Sequence, residues 1–202
     1  MPTSRRSRRE RHHIGHETVQ HIFRAFDYAW DIGRPLTHYL VIHLCDAEDQ
    51  DQALYVARIL HKYRDWLARK RRNGIIGACE QAAYAQTLET DSRTAHVNWA
   101  VRVPPSLWAE FETKAPRWVE KVCGAPSPFG IHVSRIQDRG YKSVANYMVE
   151  DMDPAYHDHF YAKNRAKVRG RTFGTRASFS RSLGPAARRR AGYGRPVRSR
   201  PN

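Results

Sequence analysis

The segment His96-Val-Asn-Trp-Ala-Val-Arg-Val-Pro104 alternates polar and apolar residues for most of its length. Successive side chains of a β-strand leave opposite faces, so Val97, Trp99, Val101 and Val103 define one apolar face. His96 and Asn98 leave the other face side by side. The β-branched and aromatic content suits a strand, and Pro104-Pro105 closes it. A chain holding this segment must therefore build a sheet with a core under one face and polar groups on the other. Two metal-competent side chains on a strand that is otherwise buried are costly for a sheet that only has to pack.

The flanking sequence supplies partners for that strand. Residues 36–44 (Leu-Thr-His-Tyr-Leu-Val-Ile-His-Leu) read as a first strand after Gly33-Arg-Pro35. Ala53, Val56, Ala57, Leu60, Tyr63, Trp66 and Leu67 then recur at helical spacing. That helix ends in Arg69-Lys-Arg-Arg72 with Asn73-Gly74 as its stop. Residues 75–89 read as strand, and the polar turn 90–94 predicts an antiparallel hairpin into the His96 strand. Beyond Pro105 a helix carries Leu107, Trp108, Phe111, Trp118, Val119 and Val122, with Ser106 as a cap and a kink or break expected at Pro116. Residues 130–136 read as a strand and 140–153 as a helix. The expected class is α+β: an antiparallel sheet of about four to five strands with helices packed on one face.

Charge divides the chain into three parts. Residues 1–16 carry a net +4, residues 17–158 a net −2, and residues 159–202 a net +13 with no acidic side chain at all. The expected organisation is a basic N-terminal arm (1–16), one folded domain (17–158) and an Arg-rich tail without a core of its own (159–202). Cationic arms of this kind attract polyanions through counterion release. Cys45, Cys79 and Cys123 have no paired spacing, so neither a zinc site nor a disulfide framework is indicated. The basic N-terminus lacks an apolar run behind it, and no stretch is apolar enough to cross a bilayer. The expected setting is the bacterial cytoplasm, with no membrane partner.

The order of elements, the strand with His96 and Asn98 leading into Val103-Pro104, and Val144-Ala-Asn-Tyr147 on a later helix together resemble the HUH endonucleases. The likeness is to plasmid and phage rolling-circle replication initiators. It covers roughly residues 36–155, with a trailing Ser-Leu-Gly-Pro-Ala-Ala-Arg segment at 182–188. The resemblance implies a protein that nicks and joins single-stranded or hairpin DNA, with a host helicase as a possible partner. Tyr147 would be the nucleophile forming a 5′-phosphotyrosine. His96, Asn98 and Glu89 would hold Mn²⁺ or Mg²⁺, since imidazole, amide carbonyl and carboxylate suit such cations and leave positions open for phosphate.

The sequence departs from the family pattern at three positions. Asn98 stands where a second histidine is usual, Arg102 where many relatives have another histidine, and Glu150 where a lysine follows the tyrosine by three residues. Asn98 keeps a carbonyl oxygen for a hard cation, whereas Glu150 sets a negative charge one turn beyond Tyr147. Arg102, Arg135, Arg139, Lys142, Arg188, Arg189 and Arg190 are the expected nucleic-acid contacts. Two other readings stay open at this stage: a DNA-binding relative that has lost catalysis, and a basic RNA-binding protein.

Overall fold

The computed structural model describes residues 10–11, 13–44, 52–90, 95–124, 130–136, 140–156, 172–173 and 176–193. Chain order gives β1 (Glu10–Arg11), α1 (His16–Asp31), β2 (His38–His43), α2 (Gln52–Arg72), β3 (Tyr84–Thr90) and β4 (Ala95–Val101). There follow a 3-10 turn (Pro105–Leu107), α3 (Trp108–Cys123), β5 (Ile131–Arg135), α4 (Tyr141–Met148), β6 (Thr172–Phe173), β7 (Ala177–Phe179) and α5 (Pro185–Arg190). The class is α+β, as expected. Five strands form one antiparallel sheet in the order β5-β2-β4-β3-β7, which puts the His96 strand at its centre.

Alternation along β4 separates two cores. Val97, Trp99 and Val101 face α2 and α3, with Leu40, Ile42, Tyr63, Trp66 and Phe111 in the same cluster. Ala100, Tyr39 and Ala85 face α1 and α4, packing with Ile22, Phe26, Val144 and Met148. The sequence reading placed helices on one face; α1 and α4 add a layer over the other. Residues 16–31, to which the sequence analysis assigns no element, form α1 because Val19, Ile22, Ala25, Phe26 and Ala29 fall on one helical stripe and are buried.

Element boundaries depart from expectation where turn and packing chemistry override the apolar pattern. Only Tyr84–Thr90 of the 75–89 segment is strand, preceded by turns after Gly74. Gly74 takes the left-handed conformation (φ +70°) that ends α2, and Ile75 N–H returns to the Lys70 carbonyl in a Schellman-type closure. Helix α3 continues through Pro116 instead of breaking there, and no side chain caps its N-terminus. Helix α4 ends at Met148, so Glu150 lies in the following turn rather than on the Tyr147 helix face.

Both basic ends contribute to the fold. Glu10 and Arg11 pair with Phe173 and Thr172, and Ile14 bridges to Met152. Residues 176–193, assigned on composition to the tail, supply the edge strand β7, the core residue Leu183 and helix α5. Arg176 and Asp151 form an ion pair with side chains 1% and 0% exposed. Arg176 carries β7 into the sheet, since its carbonyl accepts from Leu88 N–H at 2.7 Å.

Candidate functional site

The hairpin between β3 and β4 sets Glu89 directly opposite His96 and Thr87 opposite Asn98. These four side chains share the sheet face covered by α1 and α4. Glu89 lies at the centre of a polar knot. Its Oε1 accepts from Asn98 Nδ2 at 2.7 Å, and its Oε2 lies 3.0 Å from His96 Nε2. Asn98 is fully buried, Glu89 is nearly so, and the His96 side chain keeps 18% exposure. The knot therefore opens toward solvent on its His96 side. His43, opposite His96 on β2, places its ring centroid 5.7 Å from that of His96.

Tyr39 extends the chain of contacts toward α4. Its hydroxyl donates to Asn98 Oδ1 at 2.5 Å, and its ring meets the Tyr147 ring edge-on with centroids 6.0 Å apart. Val144, Ala145 and Met148 bury the inner side of α4 on this sheet face, which leaves Tyr147 on the outer side with 38% exposure. The structure thus brings Glu89, His96 and Asn98 together, and links Tyr147 to them only through Tyr39, whose ring it meets. Tyr39 and His43 were not singled out in the sequence. Their signal was there in the alternation of β2, where both share parity with Val41, the residue paired to Asn98.

Among the described residues, no three His, Cys, Asp or Glu side chains gather at metal-binding distance. The donor set is smaller: one imidazole and one carboxylate. Their 3.0 Å separation matches the edge of an octahedron with metal–ligand bonds of about 2.1 Å. Magnesium and manganese sites of this kind complete their shells with water and substrate phosphate. Asn98 turns its carbonyl to Tyr39, so in this arrangement it positions Glu89. Thr87 Oγ1, fully buried beside Asn98, has no hydrogen-bond partner and is a further hard oxygen on the same face. Glu89 and His96 are the two groups a hard cation would use here, and in this structure they bond to each other at 3.0 Å.

The expected nucleic-acid contacts divide into two groups. Arg102 makes a bidentate pair with Glu80 (2.8 and 3.0 Å) at the far end of β4, about 20 Å along the strand from His96. Arg135 pairs with Glu112 at 2.8 Å and stacks over Trp108 at 4.7 Å, on the α3 side of the sheet. Arg188 is buried and donates to the His21 carbonyl and to His21 Nδ1, both at 3.1 Å. Because a guanidinium only donates, His21 Nδ1 must be the acceptor. Burial and then the nearby Arg188 charge accordingly hold the His21 pKa below its usual value. These three arginines are engaged within the fold. Lys142, Arg189 and Arg190 are exposed, and Arg139 lies outside the described residues.

No protein-family model matches this chain, and no curated protein matches its sequence. Among the described residues, no helix is long and apolar enough to cross a membrane.

Proposed function

We propose that this protein nicks and rejoins single-stranded DNA through Tyr147, as a rolling-circle replication initiator or mobilisation protein does. The observation that carries the reading is the convergence of Glu89, His96 and Asn98 on the central strand pair, with an exposed tyrosine on the overlying helix packed against Tyr39, whose hydroxyl bonds to Asn98. A divalent cation bound there would neutralise charge on the non-bridging phosphate oxygens. Glu89 and His96 would hold it, Asn98 would orient Glu89, and the Tyr39 hydroxyl would fix Asn98.

Tyr147 would attack phosphorus with its phenolic oxygen while the bond to the 3′ oxygen breaks. The phenolic proton is lost and the departing 3′ oxygen gains one. The phosphotyrosine retains the energy of the broken bond, so reversal by a 3′ hydroxyl rejoins the strand. The single-strand grip would come from exposed cations, among them Lys142 on α4 and Arg189 and Arg190 on α5.

A second reading draws on the same geometry. The Asn98 carbonyl is held by Tyr39, and Glu150 follows Tyr147 within the next turn, its N–H bonded to the Tyr147 carbonyl at 3.2 Å. Both favour a DNA-binding relative that no longer cleaves. Incubating the full chain with a labelled single-stranded or hairpin oligonucleotide and Mn²⁺ separates the two. A denaturation-resistant adduct that disappears in Tyr147→Phe supports nicking. Hairpin binding that persists in Tyr147→Phe, with no adduct in either protein, supports the second.

A further inference from the structure

On the sheet face opposite Glu89 and His96, helix α2 and the β3–β7 edge enclose a cleft of about 590 Å³. Its volume lies within the range of small-ligand sites. Arg64 and Arg71 reach it from α2, two turns apart on one helix face, and Arg181 reaches it from the turn after β7. All three are exposed, and none forms an ion pair among the described residues. Two carboxylates also line the cleft. Asp65 is paired with His61 at 3.0 Å, and Glu80 is held by Arg102 at 2.8 Å. The net field of the cleft is therefore positive. Tyr84, half-buried at the start of β3, walls it with an aromatic ring close enough to Arg64 for the two to interact electrostatically. Ser182 adds a hydroxyl bonded to the Ala82 carbonyl at 3.1 Å.

Several cations around an aromatic wall, in a cleft of this size, match the chemistry of a nucleotide: phosphate on guanidinium, base against ring. We propose that this cleft binds a nucleotide unit of a single nucleic-acid strand, with Arg64, Arg71 and Arg181 on the phosphodiester backbone and Tyr84 against a base. The site lies across the sheet from Tyr147 and stands independently of the nicking reading. A strand held here would be gripped away from the tyrosine, whether or not that tyrosine reacts.

The test uses the full chain and a fluorescein-labelled oligothymidylate, read by anisotropy across a salt series. Arg64→Gln, Arg71→Gln and Arg181→Gln are combined and compared with a triple variant of equal charge away from the cleft, Arg24→Gln, Arg58→Gln and Arg117→Gln. The cleft variant is expected to lose affinity about tenfold or more and to flatten the log–log salt slope by about 2, from three lost phosphate contacts. The off-cleft variant should lose much less. Tyr84→Leu should weaken the oligonucleotide further than it weakens competition by inorganic phosphate. Equal losses in the two triple variants would overturn the proposal, because charge alone would then explain binding. So would a cleft variant that loses phosphatidylserine vesicles and keeps the oligonucleotide. Tyr147→Phe must leave this binding intact, so the failure of either proposal is visible without the other.

Discussion

Replacing Tyr39 with Phe tests the polar knot where it is most enclosed. Tyr39 is 2% exposed and Asn98 is 0% exposed, and the bond between them is 2.5 Å long. Removing the hydroxyl leaves the Asn98 carbonyl without that donor, in a place water does not reach. The ring stays, so packing loss is confined to one oxygen atom. An orphaned buried acceptor of this kind costs about 1–3 kcal/mol. For a chain of this size, each kcal/mol moves the melting temperature by roughly 2–4 °C. Urea unfolding followed by tryptophan fluorescence should show a lower midpoint at unchanged slope. The origin of the loss is isolated by a cycle with Asn98→Ala. In that background Tyr39→Phe should cost little, giving a coupling of about 1 kcal/mol or more. A loss of less than ~0.5 kcal/mol, or additivity within that range, would refute the reasoning.

Further outcomes follow from the same contacts. Arg176→Met removes a cationic partner of the fully buried Asp151 and should destabilise by about 3–5 kcal/mol, with Asp151→Asn added to it recovering part of the loss; urea unfolding checks both. Glu89→Gln keeps an acceptor for Asn98 and should leave the melting temperature nearly unchanged, yet Mn²⁺ binding by calorimetry should be lost, as in His96→Ala. His38 is buried, and burial outweighs the adjacent Glu112 to hold its pKa below the ordinary 6.5. The unfolded chain therefore binds the proton more readily. The His38 contribution is complete above about pH 6.5 and is lost as pH falls toward the folded-state pKa. Urea midpoints measured from pH 7.5 to 5 should fall less in His38→Gln than in the parent.

The parts of this fold that were legible in the sequence are those where period and position agree. The alternation of β4, the helical stripe of α2 and the polar turn before Ala95 each have one reading, and together they place Glu89 opposite His96. Tyr147 is marked in the sequence by the resemblance alone, since Ala145 and Met148 beside it suggest a core tyrosine; buried Val144, Ala145 and Met148 instead leave it 38% exposed. Other parts were hidden by composition. Arg176, Leu183 and Arg188 sit among glycines, serines and arginines that look like a solvated tail, yet each is buried. Arg176 is matched by Asp151, 25 residues earlier, and a pairing over that distance has no local signature. Arg102 and Arg135 looked like phosphate contacts because Glu80 and Glu112 lie far from them in sequence. Pro116 did not break α3, since Phe111, Ala115 and Val119 bury one continuous stripe across it.

The most direct test of the account is the chemical identity of a covalent product. The full chain is incubated with a single-stranded oligonucleotide and Mn²⁺, digested with protease and nuclease, and its peptides mapped by mass spectrometry. A phosphonucleotide attached to the peptide containing Tyr147 is expected, absent from Tyr147→Phe and from Glu89→Gln. A nucleotide on any other tyrosine, or cleavage that persists in Tyr147→Phe, would contradict it.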